Sequence, residues 1–203
     1  MKLSWIARKK KSTYDIIVKA DEAFQNVIFA ALLRILNKEQ IPSSFDFTTL
    51  VQIYKGKGLR EELANSHFIH SKQWLPRMAE AMVVDKFKEK LIDSMTKYQI
   101  GGKPGHRPSE HLFVVKSVIA HFKMMDRPLL LQVYDLCKFF DKENLRDAMG
   151  ALHKAGVDQK FYRLWFLLNC KTKIQVRTSV GLTEMADVGE VLGQGSRLSL
   201  IHI

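Results

Sequence analysis

Asp135 is a carboxylate that the sequence places at the end of a predicted strand. It follows Leu129 to Tyr134, a continuous apolar run of strand length, and such runs are typical of a central strand covered on both faces. A carboxylate at the end of such a strand can bind a hard divalent cation such as Mg²⁺. An ordinary turn aspartate produces the same pattern, so Asp135 alone assigns no activity.

Two loops carry cations that could contact phosphate groups. Lys55-Gly-Lys-Gly58 follows a β-branched segment, and the stretch Gly101 to Pro108 contains Lys103, His106 and Arg107. Lysine and arginine bind phosphate oxygens through charge-assisted hydrogen bonds. Solvated loop residues that bind no ligand give the same sequence pattern. Phosphate contact and simple solvent exposure therefore both stay open at these positions.

The chain is strongly basic. Its 203 residues include 32 Lys plus Arg and 21 Asp plus Glu, a formal charge of +11 at pH 7. That balance favours polyanionic partners such as RNA, DNA or an anionic membrane surface. No apolar run approaches the roughly 18 residues needed to cross a bilayer, and the N-terminus lacks a signal-peptide pattern. We therefore expect an intracellular protein of the nucleus or cytoplasm, without a membrane partner.

Cysteines and the basic cluster near the N-terminus add little. Cys137 and Cys170 lie in apolar surroundings without metal-ligand spacing, which favours reduced core thiols over a disulfide framework or a zinc site. The cluster from Arg8 to Lys11 fits a nuclear signal, a phosphate contact or a solvated flank.

The elements that must position the candidate residues begin with two helical patterns and a strand. Apolar residues recur at three- and four-residue steps from Tyr14 to Asn37 and from Trp74 to Met95, which predicts one helix in each range. Thr48 to Tyr54 is rich in β-branched and aromatic residues and predicts a strand before the lysine turn. Ser109 is placed to cap a further helix.

The later part of the chain continues this alternation. Asp141 is placed to cap a helix that Gly156 closes, and Val157 to Leu168 predicts another helix. Ile174 then alternates with polar neighbours, and a turn at Val180 to Thr183 leads towards a second short strand. We see no internal repeat and no domain linker. The pattern as a whole predicts one basic α+β domain.

Five segments, in order, resemble elements of reverse transcriptases from non-LTR retroelements. Val133-Tyr-Asp-Leu-Cys-Lys-Phe-Phe-Asp141 resembles their first catalytic motif, in which an aspartate ends a strand and an aromatic residue follows five positions later. The other four are Ile41–Phe45 with Leu50–Gly58, similar to the fingers segment; Asn65–His70, similar to Asn-Tyr-Arg-Pro-Ile-Ser; Gln99–Arg107, similar to Gln-x-Gly-Phe-x-x-Gly-Arg; and Gly193-Gln-Gly195, similar to the Gln-Gly signature. The resemblance covers roughly residues 27 to 196.

The resemblance implies a two-metal nucleotidyl transfer. Asp135 would bind the two catalytic Mg²⁺ ions, with the backbone carbonyl of Leu136 as a further oxygen ligand. One ion would activate the primer 3′-hydroxyl and the other would stabilise the leaving pyrophosphate. Phe140 would lie under the sugar of the incoming nucleotide and exclude a 2′-hydroxyl by steric contact, unless it is simply a core residue.

The resemblance also assigns roles to residues outside that motif. Lys55 would reach the triphosphate, and Lys57 is the neighbouring alternative and a nucleic-acid contact. His67 stands where the family has an arginine at the triphosphate, which predicts weaker nucleotide binding. Gln194 would lie beside the template base and the incoming nucleotide.

Lys103 and Arg107 would contact template or primer phosphates without reading sequence. The partners implied are an RNA template, a DNA primer, deoxynucleoside triphosphates and the missing remainder of the polymerase.

The fold implied is that of a right-hand polymerase, α+β and helix-rich. We expect fingers-like and connecting helices over about residues 1–128, a partial palm with a small antiparallel sheet over about 129–196, and a non-native tail at 197–203. No Tyr-x-Asp-Asp-like motif follows the Gln-Gly element. We therefore expect a retrotransposon polymerase fragment that is inactive by itself. The alternatives are a non-catalytic basic RNA- or DNA-binding domain and a coding remnant that does not fold stably.

Overall fold

Helices and one small sheet make up the described part of the molecule, which in this computed structural model comprises residues 19–134, 144–178 and 180–189. The α+β class predicted from the sequence is confirmed. The helices are α1 (Glu22–Lys38), α2 (Trp74–Val84), α3 (Lys88–Ser94), α4 (Pro108–Met124), α5 (Leu145–Lys154) and α6 (Gln159–Leu167), with short 3-10 helices at Ser43–Phe45 and Leu63–Asn65. The strands are β1 (Phe47–Tyr54), β2 (Ser66–Lys72), β3 (Thr172–Thr178), β4 (Gly181–Leu182) and β5 (Ala186–Gly189).

The sheet is mixed, with the order β2-β1-β3-β4 and with β5 also paired to β3. β1 pairs antiparallel with β2 and parallel with β3, whereas β4 and β5 run antiparallel to β3. The expectation of an antiparallel sheet is therefore wrong at the β1–β3 pair. A parallel pair needs a long crossover, which the helices between β2 and β3 provide. β1 lies in the part predicted as fingers-like and β3 in the part predicted as palm.

The strand predicted for Leu129 to Tyr134 does not form. This segment has no strand assignment, and Leu130, Val133 and Tyr134 are 83%, 86% and 84% exposed. An apolar composition does not by itself specify a pairing partner, and none of the described strands pairs with this segment.

Local signals located the helices, but several ends differ. α1 confirms the helix predicted for Tyr14 to Asn37 from Glu22 onward, but the described residue Asp21 is extended and not helical. Asp21 caps α1 by accepting a hydrogen bond from the N–H of Phe24 at 2.7 Å. The single helix predicted from Trp74 to Met95 is two helices. The chain leaves the helical path at Phe87, which has φ −131° and is buried.

Two predicted helix caps are wrong. α4 begins at Pro108 with Arg107 as its N-cap, so Ser109 lies inside the first turn. Proline suits the first helical position because the N–H it lacks there has no intrahelical acceptor. α5 is capped by Asn144, whose side chain accepts from the N–H of Arg146, rather than by Asp141. Gly156 closes α5 as predicted, with φ +74°.

The core is formed by the helices and the segments that join them. Trp165 of α6, Phe87 and Leu32 of α1 are almost fully buried, and they join α1, α2, α3, α5 and α6 in one apolar cluster. α4 contributes no buried residue; Phe113 on that helix is 72% exposed. Within the described ranges, none of the helices combines the length and apolar character that crossing a bilayer requires.

A buried polar cluster ties the sheet to the helices. The Lys72 ammonium, at the end of β2, lies 3.6 Å from the Glu80 carboxylate of α2 and donates a hydrogen bond to Oδ1 of Asn169, just after α6. Glu80 is 1% exposed and Asn169 5%. The Asn169 amide in turn donates to the carbonyl of Trp165 at 2.7 Å. One buried charge pair and its hydrogen bond thus join β2, α2 and the segment after α6.

We predict that Lys72→Met destabilises the fold by roughly 3 kcal/mol, because it leaves the buried Glu80 carboxylate without its cation. Urea denaturation followed by circular dichroism measures the free energy of unfolding. The matched control is Lys116→Met on the exposed face of α4, which should change that free energy by less than about 0.5 kcal/mol.

Adding Glu80→Gln to Lys72→Met should recover part of the loss, because the buried carboxylate that lost the Lys72 ammonium is then replaced by a neutral amide. Equal stabilities of the single and double variants would contradict a charge-based origin.

Candidate nucleic-acid interface

The β1–β2 hairpin extends beyond the core. Thr48 and Leu50 of β1 are buried, whereas Gln52 and Ile53 further along the strand are exposed. β2 follows it in register, with Ile53 opposite His67. The end of the hairpin therefore projects into solvent and presents its turn, Lys55 to Gly58, to any ligand.

Two glycines and Asn65 hold this turn. Gly56 and Gly58 have φ +77° and +76°, a backbone conformation that glycine adopts without the penalty of a side chain. The Asn65 amide donates to the carbonyl of Leu59 at 2.9 Å and to the carboxylate of Glu62 at 2.8 Å. A Cβ on Gly58 would lie 2.3 Å from the Asn65 amide nitrogen. The close approach of these two residues thus fixes the loop.

The two candidate lysines in the turn are in different situations. Lys55 is tied to the far side of the loop: its backbone N–H donates to the carbonyl of Asn65 and its ammonium to the carbonyl of Ala64, both at 2.8 Å. Lys57 is exposed, and its ammonium has no hydrogen-bond or ion-pair partner within the described part of the chain. Lys57 is thus free to bind an anion, whereas Lys55 must first release Ala64.

The outward face of the sheet adds aliphatic surface and further cations. Because side chains alternate along strands, burial of Thr48 and Leu50 turns Val51 and Ile53 outward. Ile69 of β2 is the partner of Val51 on one side of β1, and Arg177 of β3 is its partner on the other side. Ile53 is 46% and Ile69 37% exposed. This face can contact both the apolar and the phosphate parts of a ligand.

Lys103 and Arg107 lie on a different segment, the loop before α4. The Lys103 ammonium donates to the carbonyl of Thr96 at 3.0 Å, and the side chain is half-buried. Arg107 is exposed at the N-terminus of α4, and its backbone N–H donates to the Glu110 carboxylate at 2.8 Å. This loop is held by its own hydrogen bonds, with one exposed guanidinium.

Glu110 makes this loop sensitive to acid. The His106 ring nitrogen Nδ1 lies 2.8 Å from its carboxylate. The hydrogen bond to His106 is the main cause that lowers the pKa of Glu110 below its ordinary value, and the Arg107 backbone N–H lowers it further. The carboxylate therefore stays charged at neutral pH, which favours the N-terminus of α4.

The remaining predicted site residues are outside the described ranges. They are Asp135, Leu136, Phe140 and Gln194, and their roles stay predictions. Among residues 19–134, 144–178 and 180–189, no group of three or more His, Cys, Asp or Glu side chains is placed to hold a metal ion.

Sequence reasoning did not find every contributor to this surface. Arg177 and Lys173 were not singled out, although both occupy the outward positions of β3; the Lys173 ammonium lies 4.0 Å from Asp187. Alternation along β3 was the available signal, but which face is buried depends on the pairing with β1. Asn65 was identified as part of a motif, but its role as the anchor of the turn was not predicted.

Comparisons with family models and with curated proteins gave no match. The candidate surface consists of a projecting hairpin with an exposed lysine turn, an aliphatic outward face of the sheet, and a second basic loop before α4.

We predict that Gly58→Ala disrupts the lysine turn more than Gly56→Ala. Both positions have nearly the same positive φ, so each substitution should cost about 1–2 kcal/mol of unfolding free energy from the backbone. Only the alanine at 58 also collides with Asn65, which should add at least about 1 kcal/mol. Denaturant melts of both variants measure the difference. Equal losses of stability would mean that Asn65 moves aside freely.

The Glu110 carboxylate should titrate below the ordinary glutamate value of 4.5. The folded state lowers the pKa of Glu110, so the stabilisation that its carboxylate gives α4 is fully present above the ordinary value of 4.5. That stabilisation is lost as the pH falls through the lowered pKa. Carbon-detected NMR titration of the carboxyl group checks this. His106→Ala removes the main cause and should move the midpoint up. A midpoint at or above 4.5 in the unchanged chain would contradict the assignment.

Proposed function

We propose that this chain is the fingers and part of the palm of an RNA-directed DNA polymerase from a retrotransposon. The observation that carries the proposal is the projecting hairpin whose turn presents Lys55 and Lys57, with His67 on the neighbouring strand. These are the positions that the reverse-transcriptase resemblance assigns to the triphosphate. Support also comes from the order of the five similar segments and from the charge of +11.

In this function the hairpin lysines bind the phosphates of the nucleotide and, in its absence, those of the nucleic-acid strand. Lys57 supplies a free ammonium, and Lys55 supplies a second when it exchanges the Ala64 carbonyl for a phosphate oxygen, which its charge favours. His67 contributes a ring nitrogen in place of the bidentate guanidinium of an arginine. Cations in this position offset the negative charge that develops on phosphate oxygens during transfer.

The outward sheet face and the loop before α4 guide the nucleic acid. Val51, Ile53 and Ile69 offer a surface for sugars and bases, while Arg177 and Arg107 contact phosphates. Such contacts position a strand without reading its sequence.

Asp135 is the residue that would hold Mg²⁺, which supplies activation of the primer hydroxyl and stabilisation of the leaving group. Several converging carboxylates are needed for two close cations. We therefore expect no primer extension by these 203 residues alone.

A second candidate is a basic domain that binds RNA or DNA without chemistry. It is favoured by the described cations that have no acidic partner within the described ranges, such as Lys57 and Arg177. It differs from the first candidate in one respect. A polymerase part binds a hybrid more tightly when the complementary nucleotide is present, whereas a simple binding domain does not.

We predict salt-dependent binding that uses the hairpin lysines. Fluorescence anisotropy with a labelled RNA–DNA hybrid measures the affinity across a salt series. Lys55→Gln with Lys57→Gln should reduce the slope of log affinity against log salt by about 1 for each phosphate that the variant no longer binds. The matched control, Lys116→Gln with Lys123→Gln on α4, removes the same charge from a surface without a predicted role. Equal slopes for the two double variants would contradict the hairpin assignment.

The two candidates separate when nucleotides are added to the same assay. The triphosphate carries one Mg²⁺ on its own phosphates, so binding needs only that ion at Asp135, whereas primer extension needs both ions. The complementary deoxynucleoside triphosphate with Mg²⁺ should therefore tighten hybrid binding several-fold in the polymerase case, and a mismatched one should not. Asp135→Asn should remove that difference while leaving salt-dependent binding intact. Equal affinities with and without the complementary nucleotide would reject the polymerase proposal in favour of the simple binding domain.

A further inference from the structure

A cavity on the side of the helical layer is independent of the hairpin. It lies between α1, the end of α2 and the start of α6, and its volume is about 140 Å³. Its floor is formed by core residues, because Leu36, Val83 and Leu164 line it and are 6%, 2% and 2% exposed. The floor is therefore fixed by packing that exists without any ligand.

The walls of the cavity are apolar. Phe29 and Leu33 of α1 stand on one side and Phe161 of α6 on the other. An apolar cavity of about 150 Å³ holds one benzene-sized molecule. A single six-membered ring or a short branched chain thus matches both the size and the chemistry of this space.

The rim of the cavity is cationic. Lys86, after α2, and Lys160, at the start of α6, both line the cavity and are exposed, as is Asn37 near the end of α1. None of these three side chains has a hydrogen-bond or ion-pair partner among the residues that the structure describes. In the same part of the chain, no aspartate or glutamate lines the cavity.

Glu39 does not neutralise this rim, because its carboxylate is paired with Arg163 at 3.2 Å. Two free ammonium groups and an amide beside an apolar space favour a ligand with an apolar body and one anionic end. The two parts of the ligand are then held by different parts of one site.

We propose that this cavity binds a small amphipathic carboxylate, with its ring or short chain against Leu33 and Phe161 and its carboxylate at Lys86 and Lys160. Burial of the ring removes apolar surface from water. The lysines add a charge-assisted interaction that is modest at an exposed rim. Both contributions are needed, so an inorganic anion or a neutral ring alone binds more weakly.

The test uses 3-phenylpropionate as probe and the full chain, with binding measured by protein-observed NMR titration. The neutral isostere 3-phenylpropanamide should bind roughly 2- to 5-fold more weakly, as expected when a charge at an exposed site is removed. Lys86→Gln with Lys160→Gln should weaken the acid by a similar factor and leave the amide unchanged. Lys116→Gln with Lys123→Gln is the matched charge control and should have no effect.

Leu33→Trp tests the apolar part of the site without disturbing the core, because Leu33 is 38% exposed. The larger side chain should fill the cavity and abolish binding of both probes, while a thermal melt shows that the fold is kept. Equal affinity for acid and amide, or unchanged binding to the Leu33→Trp variant, would overturn the proposal. Binding of a peptide with one Phe between two Asp residues, together with no response to 3-phenylpropionate, would also overturn it and assign the cavity to a protein segment.

Discussion

The charge pair of Lys72 and Glu80 is the interaction on which the arrangement of the layers depends. Lys72 ends the hairpin strand β2, Glu80 lies in the middle of α2, and Asn169 joins α6 to β3. Burying these groups is costly unless each finds its partner. An arrangement in which the sheet slides or rotates against the helices would leave a charge buried alone. The cluster therefore selects one placement of the hairpin and, with it, the direction in which the lysine turn projects.

Features specified by neighbouring residues were predictable from the sequence. The strand β1, the turn glycines and the closure of α5 by Gly156 follow from local residue types, and the structure has them. Features that depend on distant partners were not. The run from Leu129 to Tyr134 has the composition of a buried strand, yet it is exposed because hydrophobicity does not specify a pairing partner. The parallel alignment of β1 with β3 likewise depends on the crossover between them.

The residues of the candidate site show the same difference between features set by neighbouring residues and features set by distant ones. Lys55, Lys57 and His67 were predicted from a motif confined to one hairpin, and the structure places them on that hairpin. Arg177 joins their surface only through the β1–β3 pairing, which no short motif contains. The cavity beside α1 is formed by three helices that are distant in sequence. In the sequence alone, the lysines at its rim cannot be told from ordinary solvated lysines. Surfaces built from several elements thus escape motif-based reasoning even when each residue is ordinary by itself.

The position of β3 in the sheet has a consequence for synthesis of the chain. β1 can pair with β2 as soon as the hairpin leaves the ribosome, but its other edge is covered only by residues 172–178. Until then β1 presents an open row of backbone hydrogen-bonding groups along that edge. Open strand edges recruit other extended chains, and long-range pairings form slowly. The interval between emergence of β1 and emergence of β3 is therefore when this edge is most open to pairing with other extended chains.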